Sequence, residues 1–303
     1  KKNFFNYILI YIELINPSLI ITGNDNLIWF YKLKKNYPNK KFISVQNGFR
    51  NKLFFNNLRK EKNLSSDYIF TFNSSFANLY KKFIRTKTKV IGSLKNNSIK
   101  IKQKSSRKVL FVSSGFPRLK EDFNLYKKVR FKKEDYFNQD KILIRNLIKF
   151  CAKENLKLFF LPKNTNYDGN KEIKYYKENI DSNLVNFITK KSKKGIQGSK
   201  KIYSLADKSL ITVSTASSFG LENLARGNRS VIFNNKIYIT KNVIDLFWNY
   251  KFKQKGPFWS NESSFSEVNR LLGFSLKKNK NLLNVKRITK ILMSYDNRNN
   301  TFR

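Results

Sequence analysis

The feature that most restricts the fold is a unit that recurs along the chain: a short run of β-branched and aromatic residues, a polar turn and an amphipathic helical stretch. Residues 17–38 (PSLIITGNDN, then LIWFYKLKKNYP) show it first, and residues 67–83 (DYIFTFNSSFANLYKKF) show it again. The strand-like runs are almost continuously apolar, which is typical of parallel strands covered on both faces. The pattern therefore predicts an α/β fold built on parallel sheets.

A polar, lysine-rich stretch at residues 95–108 interrupts this alternation, which starts again with VLFVSSGFP at residue 109. We interpret the stretch as a linker between an N-terminal unit, residues 1–94, and a C-terminal unit, residues 109–303, that ends in helices. Because the sequence begins with Lys1 and not with methionine, we expect the N-terminal unit to be truncated. Two such units would place ligands at the carboxyl ends of their strands, in the cleft between them.

The charge of the chain leaves two interpretations open. There are 62 Lys and Arg against 20 Asp and Glu, a net charge of +42, which is typical of proteins that bind nucleic acid or anionic membranes. The lysines are scattered along the whole length, however, which equally indicates a general drift in composition. The sequence contains no run of about 18 apolar residues, the length that would predict a membrane-spanning helix. The stretch NFFNYILIYIELI, residues 3–15, predicts a buried helix.

The absence of histidine narrows the chemistry. Without imidazole, histidine bases, Ser-His pairs and most zinc sites are excluded. The single cysteine, Cys151, lies in an amphipathic helical pattern, reads as a core thiol and fits a cytosolic protein. The sequence contains neither a GxxxxGK nor a GxGxxG motif, so it gives little support to kinase or dinucleotide-binding functions. We predict no metal and no cofactor.

The stretch VSTASSFGLENLARGN, residues 213–228, places small hydroxyl side chains between a predicted strand ending at Val213 and a helix beginning near Ser217. A helix N-terminus favours an anion, and the hydroxyls can donate to phosphate oxygens. The predicted phosphate-binding residues are Ser214, Thr215, Ser217 and Ser218. Glu222, one turn later, would accept a hydrogen bond from a ribose hydroxyl. The alternative is that Thr215 or Ser217 is only a helix cap.

The longer stretch ADKSLITVSTASSFGLENLARGNRSVIF, residues 206–233, resembles the donor-binding region of GT-B glycosyltransferases. Glu222, Leu224, Ala225 and Gly227 stand at matching places, although Asn223 replaces the usual alanine. KVIGSLKNN, VLFVSSGFP, LFFLPKN and KGPFWSNESS add a similarity to bacterial surface-polysaccharide transferases. The resemblance implies an α/β fold with two Rossmann-like parallel-sheet domains that face a central cleft.

The resemblance also implies further donor-side residues. Ser113, Ser114 and Gly115 would form a second turn facing the donor. Lys163 would lie at a strand end and offset the charge of the leaving phosphate without a metal. An ordinary surface lysine is an equally good interpretation of Lys163 in so basic a chain.

On the N-terminal side, the loops ITGNDN and VQNGFR would face the cleft. A transferase needs a base for the acceptor hydroxyl, and without histidine the choice falls on a carboxylate, here Asp25. Gln46, Asn47 and Arg50 would bind the acceptor. The alternative for QNGF is a tight turn, since Asn-Gly favours positive φ.

The resemblance implies an enzyme that transfers a sugar, or a polyol phosphate, from a CMP- or UDP-linked donor onto a surface polysaccharide or its lipid-linked precursor. We expect it in the cytoplasm, at the inner face of the membrane and in peripheral contact with anionic lipid. Two alternatives remain: a basic nucleic-acid-binding protein and an inactive GT-B scaffold. The nucleic-acid alternative requires exposed aromatic residues among the lysines, whereas the sequence places most aromatic residues in apolar runs.

Overall fold

The structure is a computed structural model. It describes residues 2–100, 106–113, 123–125, 129–131, 133–163, 167–188, 196–215, 217–234, 247–250, 252–277 and 292–295. Two parallel sheets with helices on their faces make up this part of the chain, which confirms the predicted α/β class.

The N-terminal unit is a four-stranded parallel sheet in the order β1-β2-β3-β4. Its elements in chain order are α1 (Lys2–Ile15), β1 (Leu19–Thr22), α2 (Ile28–Leu33), β2 (Lys41–Val45), α3 (Lys52–Arg59), β3 (Ser65–Thr71), α4 (Ser74–Phe83) and β4 (Arg85–Val90). Aromatic side chains, among them Phe30, Phe42, Phe76 and Tyr80, fill the core between the sheet and these helices. Helix α3 was not predicted, although Asn51 caps it by accepting a hydrogen bond from Phe54 N at 2.9 Å.

The C-terminal unit is a six-stranded parallel sheet in the order β12-β11-β10-β5-β8-β9. Its strands are β5 (Ser106–Val112), β8 (Lys157–Leu161), β9 (Val185–Phe187), β10 (Ser209–Thr215), β11 (Ser230–Phe233) and β12 (Trp259–Ser260). Two short antiparallel strands, β6 (Phe123–Leu125) and β7 (Val129–Phe131), pair outside this sheet. The helices are α6 (Lys133–Lys153), α7 (Tyr167–Asn179), α8 (Ile196–Asp207), α9 (Ser218–Ala225) and α10 (Phe265–Lys277).

Cys151 lies on the inner face of α6 and is 3% exposed, as predicted for a core thiol. Burial raises the pKa of its thiol to about 12. Helix α10 confirms the first part of the predicted C-terminal helical region, and residues 278–291 of that region lie outside the described residues.

The prediction of a buried first helix is only partly correct. Residues 2–15 form α1, and Ile12 packs into the core. The opposite face carries Phe4, Tyr7 and Leu14, which are 55%, 60% and 79% exposed. The apolar residues of this segment run around the whole helix, whereas the described protein covers only one side of it.

The two units meet along a junction formed by segments that are distant in sequence. Helix α5 (Leu94–Asn97) lies inside the stretch predicted as a linker, and β5 already begins at Ser106. Residues 292–295 return to the N-terminal unit, where Ser294 N donates to Phe72 O at 3.0 Å. Side chains from both units, including Phe72, Leu221 and Met293, form one apolar cluster at this junction. The exact division at residues 94 and 109 stays a prediction.

Gly92 makes this junction possible, and replacing it with alanine is expected to cost about 2 to 3 kcal/mol of unfolding free energy. Its φ is +73°, and an added Cβ would lie 1.9 Å from the carbonyl oxygen of Ser294. Gly227→Ala is the matched control, because Gly227 has a φ of +82° with open space around it. We expect about 1 kcal/mol there, from the backbone conformation alone. Equal losses in urea denaturation of the two variants would contradict the close contact at Gly92.

Candidate functional site

A cavity of about 570 Å³ lies between the carboxyl ends of the two sheets. Both units line it. The N-terminal unit contributes Ile21, Gly23, Ile43, Val45, Gln46, Asn47 and Phe70, and the junction contributes Ser93, Leu94 and Lys95. The C-terminal unit contributes Val112, Ser113, Leu161, Pro162, Lys163, Ile202, Tyr203, Ser217, Ser218, Phe219 and Glu222. This is the place where open parallel sheets bind ligands.

The turn after β10 brings two of its four predicted hydroxyl residues to the cavity. Strand β10 ends at Thr215, two residues later than predicted, and Ser217 caps α9 by accepting a hydrogen bond from Phe219 N at 3.3 Å. Ser217 and the first helical residue, Ser218, both line the cavity. The N-terminus of α9 therefore borders the cavity.

Ser214 and Thr215 are enclosed instead, with exposures of 0% and 2%. The Ser214 hydroxyl lies beneath α9, where a Cβ on Gly220 would come within 2.2 Å of it. Because parallel strands alternate their side chains between two covered faces, residues at the end of β10 point into the protein. In this structure they support the turn and do not face the cavity, contrary to their predicted contact with phosphate.

Glu222 lies in the cavity wall and connects the two units. Its Oε1 accepts a hydrogen bond from Ser93 Oγ at 2.8 Å, and its Oε2 accepts one from the Tyr203 hydroxyl at 2.5 Å. Burial raises the pKa of the Glu222 carboxyl, although these hydrogen bonds oppose the shift. Both oxygens already have partners, so a ribose hydroxyl would have to share or replace the Ser93 contact.

Arg226, one turn beyond Glu222, holds α5 onto the C-terminal unit. Its guanidinium pairs with Asp207, with Nη2 2.6 Å from Oδ2, and it donates to Asn96 Oδ1 at 3.1 Å and Ile99 O at 2.8 Å. The side chains of Arg226 and Asp207 are 0% and 1% exposed. This buried pair fixes the junction that forms one wall of the cavity.

Lys163 and Ser113 follow the neighbouring strands β8 and β5 and lie side by side at the floor of the cavity. Lys163 is exposed, and its backbone N–H donates to Glu172 Oε2 at 3.2 Å. Ser113 is 2% exposed, and its hydroxyl hydrogen bonds the Glu172 carboxylate. Ser114 and Gly115, the other predicted members of this turn, lie outside the described residues.

Asp25 does not face the cavity. It is 0% exposed, and Arg50 binds both of its carboxylate oxygens, with Nε 2.7 Å from Oδ2. Asn47 N donates to Oδ1 at 3.0 Å, and the Tyr80 hydroxyl donates to Oδ2. Although burial opposes it, hydrogen bonding and the charge of Asp25 raise the pKa of Arg50. This enclosed carboxylate holds the loop that carries Asp25 against the loop that carries Asn47 and Arg50. Its predicted role as a base would require the Asp25 loop to open.

Gln46 and Asn47, predicted to bind the acceptor, do line the cavity. The amide of Gln46 is used at both ends, since Nε2 donates to Gly48 O at 3.0 Å and Oε1 accepts from Phe72 N at 2.9 Å. Asn47 is exposed, and its amide is also used at both ends: Nδ2 donates to Asn24 Oδ1 at 3.4 Å, and Oδ1 accepts from Arg50 Nη2. Arg50, the third residue predicted to bind the acceptor, pairs with Asp25 and does not line the cavity.

Sequence reasoning missed Ser93, Lys95 and Tyr203 as cavity residues. Ser93 sits in the quoted IGS motif at a strand end, which is a usable signal. Tyr203 had no such signal, because it lies inside the helix Ile196–Asp207 and not at the end of a strand. Within the described ranges, no group of three or more Asp, Glu, Cys or His could hold a metal ion, and no helix is long and apolar enough to cross a membrane.

Two facing parallel sheets with a cavity at their carboxyl ends define a GT-B fold. The chain belongs to a family described as "putative O-antigen biosynthesis protein", whose sequence model matches residues 43–303. No curated protein sequence matches the chain.

Solved structures agree with the fold at low sequence identity. A "putative UDP-N-acetylglucosamine 2-epimerase" from Listeria monocytogenes is 11% identical, with a TM-score of 0.58 over 98% of this chain and 75% of that one. A glycosyltransferase from Rickettsia africae is 13% identical, with a TM-score of 0.52 over 98% and 77%. The wall teichoic acid polymerase TagF is 12% identical, with a TM-score of 0.50 over 93% and 70%.

Proposed function

We propose that this protein transfers a sugar, or a polyol phosphate, from a nucleotide-linked donor onto a surface polysaccharide or its lipid-linked precursor. The observation that carries the proposal is the cavity between the two sheets, where Ser113, Lys163, Ser217 and Ser218 meet. Membership of an O-antigen biosynthesis family supports the polysaccharide acceptor. The names of the structural neighbours, a glycosyltransferase and a teichoic acid polymerase, support group transfer.

The donor phosphates would lie against the N-terminus of α9, where Ser217 and Ser218 open onto the cavity. The dipole of α9 favours negative charge at this point, although Phe219 N and Gly220 N already donate to Ser217. The Lys163 ammonium, on the same side, would offset the charge that builds up on the leaving phosphate. A CMP- or UDP-linked donor fits these contacts equally well.

The acceptor would approach from the N-terminal unit, along Gln46 and Asn47. Asp25 remains our candidate for the base only if the loop holding it opens, since Arg50 and Tyr80 occupy its oxygens in this structure. With the loop as described, Asp25 acts indirectly, by positioning Asn47 at the cavity through its backbone N–H.

Nucleotide binding tests the donor site. We expect one or more of CMP, UDP, GDP and dTDP, or their sugar conjugates, to raise the melting temperature. A ligand present at 100 times its Kd raises the unfolding free energy by about 2.7 kcal/mol. Ser217→Trp should abolish this shift, because the indole would fill the phosphate position. Ser266→Trp is the matched control: Ser266 is exposed and lies outside the cavity, so its variant should keep the shift.

The same assay decides between the proposal and its alternatives. Single-stranded DNA is included at two salt concentrations, because phosphate-backbone binding weakens steeply with salt. A shift with DNA alone, lost at high salt, would make nucleic-acid binding the function. If a nucleotide binds but no transfer to lipid-linked glycan acceptors is detected, the inactive scaffold is favoured.

A further inference from the structure

Two buried carboxyl groups lie behind the floor of the cavity, and the proposed transfer does not use them. Asp140 is on α6 and Glu172 is on α7, and each is 1% exposed. They sit below the carboxyl ends of β10, β5 and β8, which are adjacent strands of the sheet. We call Asp140 and Glu172 the acid pair.

The acid pair is connected to the cavity through Ser113. Glu172 accepts hydrogen bonds from the Ser113 hydroxyl and from Lys163 N, and both of these residues line the cavity. Its Oε1 is buried and has no hydrogen-bond partner among the described residues. A buried carboxylate oxygen without a donor is costly, and protonation relieves that cost.

The groups that act on the acid pair come from every strand and helix around it in the described part of the chain. Asp140 receives a hydrogen bond from the Tyr176 hydroxyl, 3.4 Å from its Oδ2, and also faces Thr215 and the charge of Glu172. Glu172 faces Ser113 and the charge of Lys163. Burial, with the mutual repulsion of the two carboxylates for Asp140, raises the pKa of both groups to about 7.

We propose that the acid pair is a proton-binding site coupled to the donor cleft, so that a phosphate binding at Ser113 is accompanied by uptake of a proton at Asp140 or Glu172. A phosphate over Ser113 brings negative charge next to Glu172, with one serine side chain between them. Protonation of the pair removes the repulsion, and the poorly screened interior makes that repulsion strong. The inference rests on the proposed function, because it requires phosphate at the cavity floor.

The coupling has a definite sign. Since phosphate binds best when the acid pair is protonated, donor affinity is highest below pH 7 and falls as pH rises through and above 7. One linked proton weakens binding by at most about tenfold per pH unit. The protonated pair also stabilises the fold: unfolded carboxyls titrate near pH 4, so unfolding free energy falls as pH rises from about 4 to about 7.

Isothermal titration calorimetry with UDP-N-acetylglucosamine or CDP-glycerol tests the coupling at pH 7, in PIPES and in imidazole buffer. Neither diphosphate ester titrates near neutral pH, so a difference in heat between the buffers reports protons taken up by the protein. We expect uptake of about half a proton per ligand in the wild type. We expect close to none in the double variant Asp140→Asn/Glu172→Gln, which keeps the shapes of both side chains and removes both titrations.

Control variants separate this coupling from simple damage. Glu178→Gln, on the exposed side of α7, should bind and take up protons like the wild type. If the double variant does not fold, the protonated-carboxyl infrared band of the wild type at pH 7 gives a measurement without any variant.

Each outcome has a separate meaning. Ligand binding without proton uptake, uptake that persists in the folded Asp140→Asn/Glu172→Gln double variant, or no protonated-carboxyl band at pH 7 would overturn the coupling and leave the proposed function intact. Failure of every nucleotide to bind would overturn the proposed function and the coupling with it.

Discussion

An Asp25→Asn variant is expected to lose about 3 to 5 kcal/mol of unfolding free energy. The substitution removes the charge that balances Arg50, whose side chain is only 12% exposed, and leaves an amide where a carboxylate accepts four hydrogen bonds. An asparagine cannot accept from all of these donors, because one end of its amide is itself a donor. Urea denaturation followed by circular dichroism measures the loss.

Glu61→Gln is the control for this prediction. Glu61 pairs with Lys32 at 2.5 Å, but the two side chains are 32% and 45% exposed, so we expect a change of at most about 1 kcal/mol. The result also tests the role of Asp25. If Asp25→Asn folds as stably as the wild type and yet loses transfer, Asp25 is a base in a loop that opens; a large loss of stability supports the positioning role.

Replacing Arg226 with methionine is expected to cost a similar amount, about 3 to 5 kcal/mol. The variant leaves Asp207 as a buried charge without its cation, and it leaves the carbonyl of Ile99 without the Arg226 donor. Because Arg226 joins α5 to the C-terminal unit, we also expect weaker binding of the nucleotide identified in the melting assay. Both effects are measured on the same purified variant.

Arg59→Met is the matched control for Arg226. Arg59 is exposed on α3 and contacts the ring of Phe83 from 5.8 Å. We expect a loss within about 1 kcal/mol there, as for other exposed cation contacts. If Arg226→Met were as mild as Arg59→Met, the buried pair with Asp207 would not stabilise the junction.

The strands and the turns were predictable because their signals are local. Largely apolar runs such as FISV, VLFV and SVIF, residues 42–45, 109–112 and 230–233, became β2, β5 and β11 or parts of them. A strand of a parallel sheet is covered by helices on both faces, so its side chains are apolar on both sides, and the run itself shows this. The polar turns at their ends then meet at one edge of each sheet, since parallel strands share a direction.

The choice among neighbouring hydroxyls in one turn could not be predicted in the same way. Ser214, Thr215, Ser217 and Ser218 look alike in the sequence, but only Ser217 and Ser218 line the cavity. The outcome depends on where β10 ends: because the strand continues to Thr215, Ser214 and Thr215 are enclosed in the sheet, and only the residues after it reach the cavity. The burial of Asp25 could not be predicted either, because Tyr80, which donates a hydrogen bond to its carboxylate, lies 55 residues away in the sequence.

The sequence by itself determined the α/β class, the linear order of strands, turns and helices, and the end of each sheet at which ligands would bind, since these follow from short-range hydrophobic patterns. Only the tertiary structure decided which polar side chains face that place. Ser93 and Glu222 are 129 residues apart and hydrogen bond across the junction, and Ser113 reaches Glu172 from a separate strand. Such contacts depend on how distant segments approach and on which buried polar atoms then find partners, and no local pattern records either.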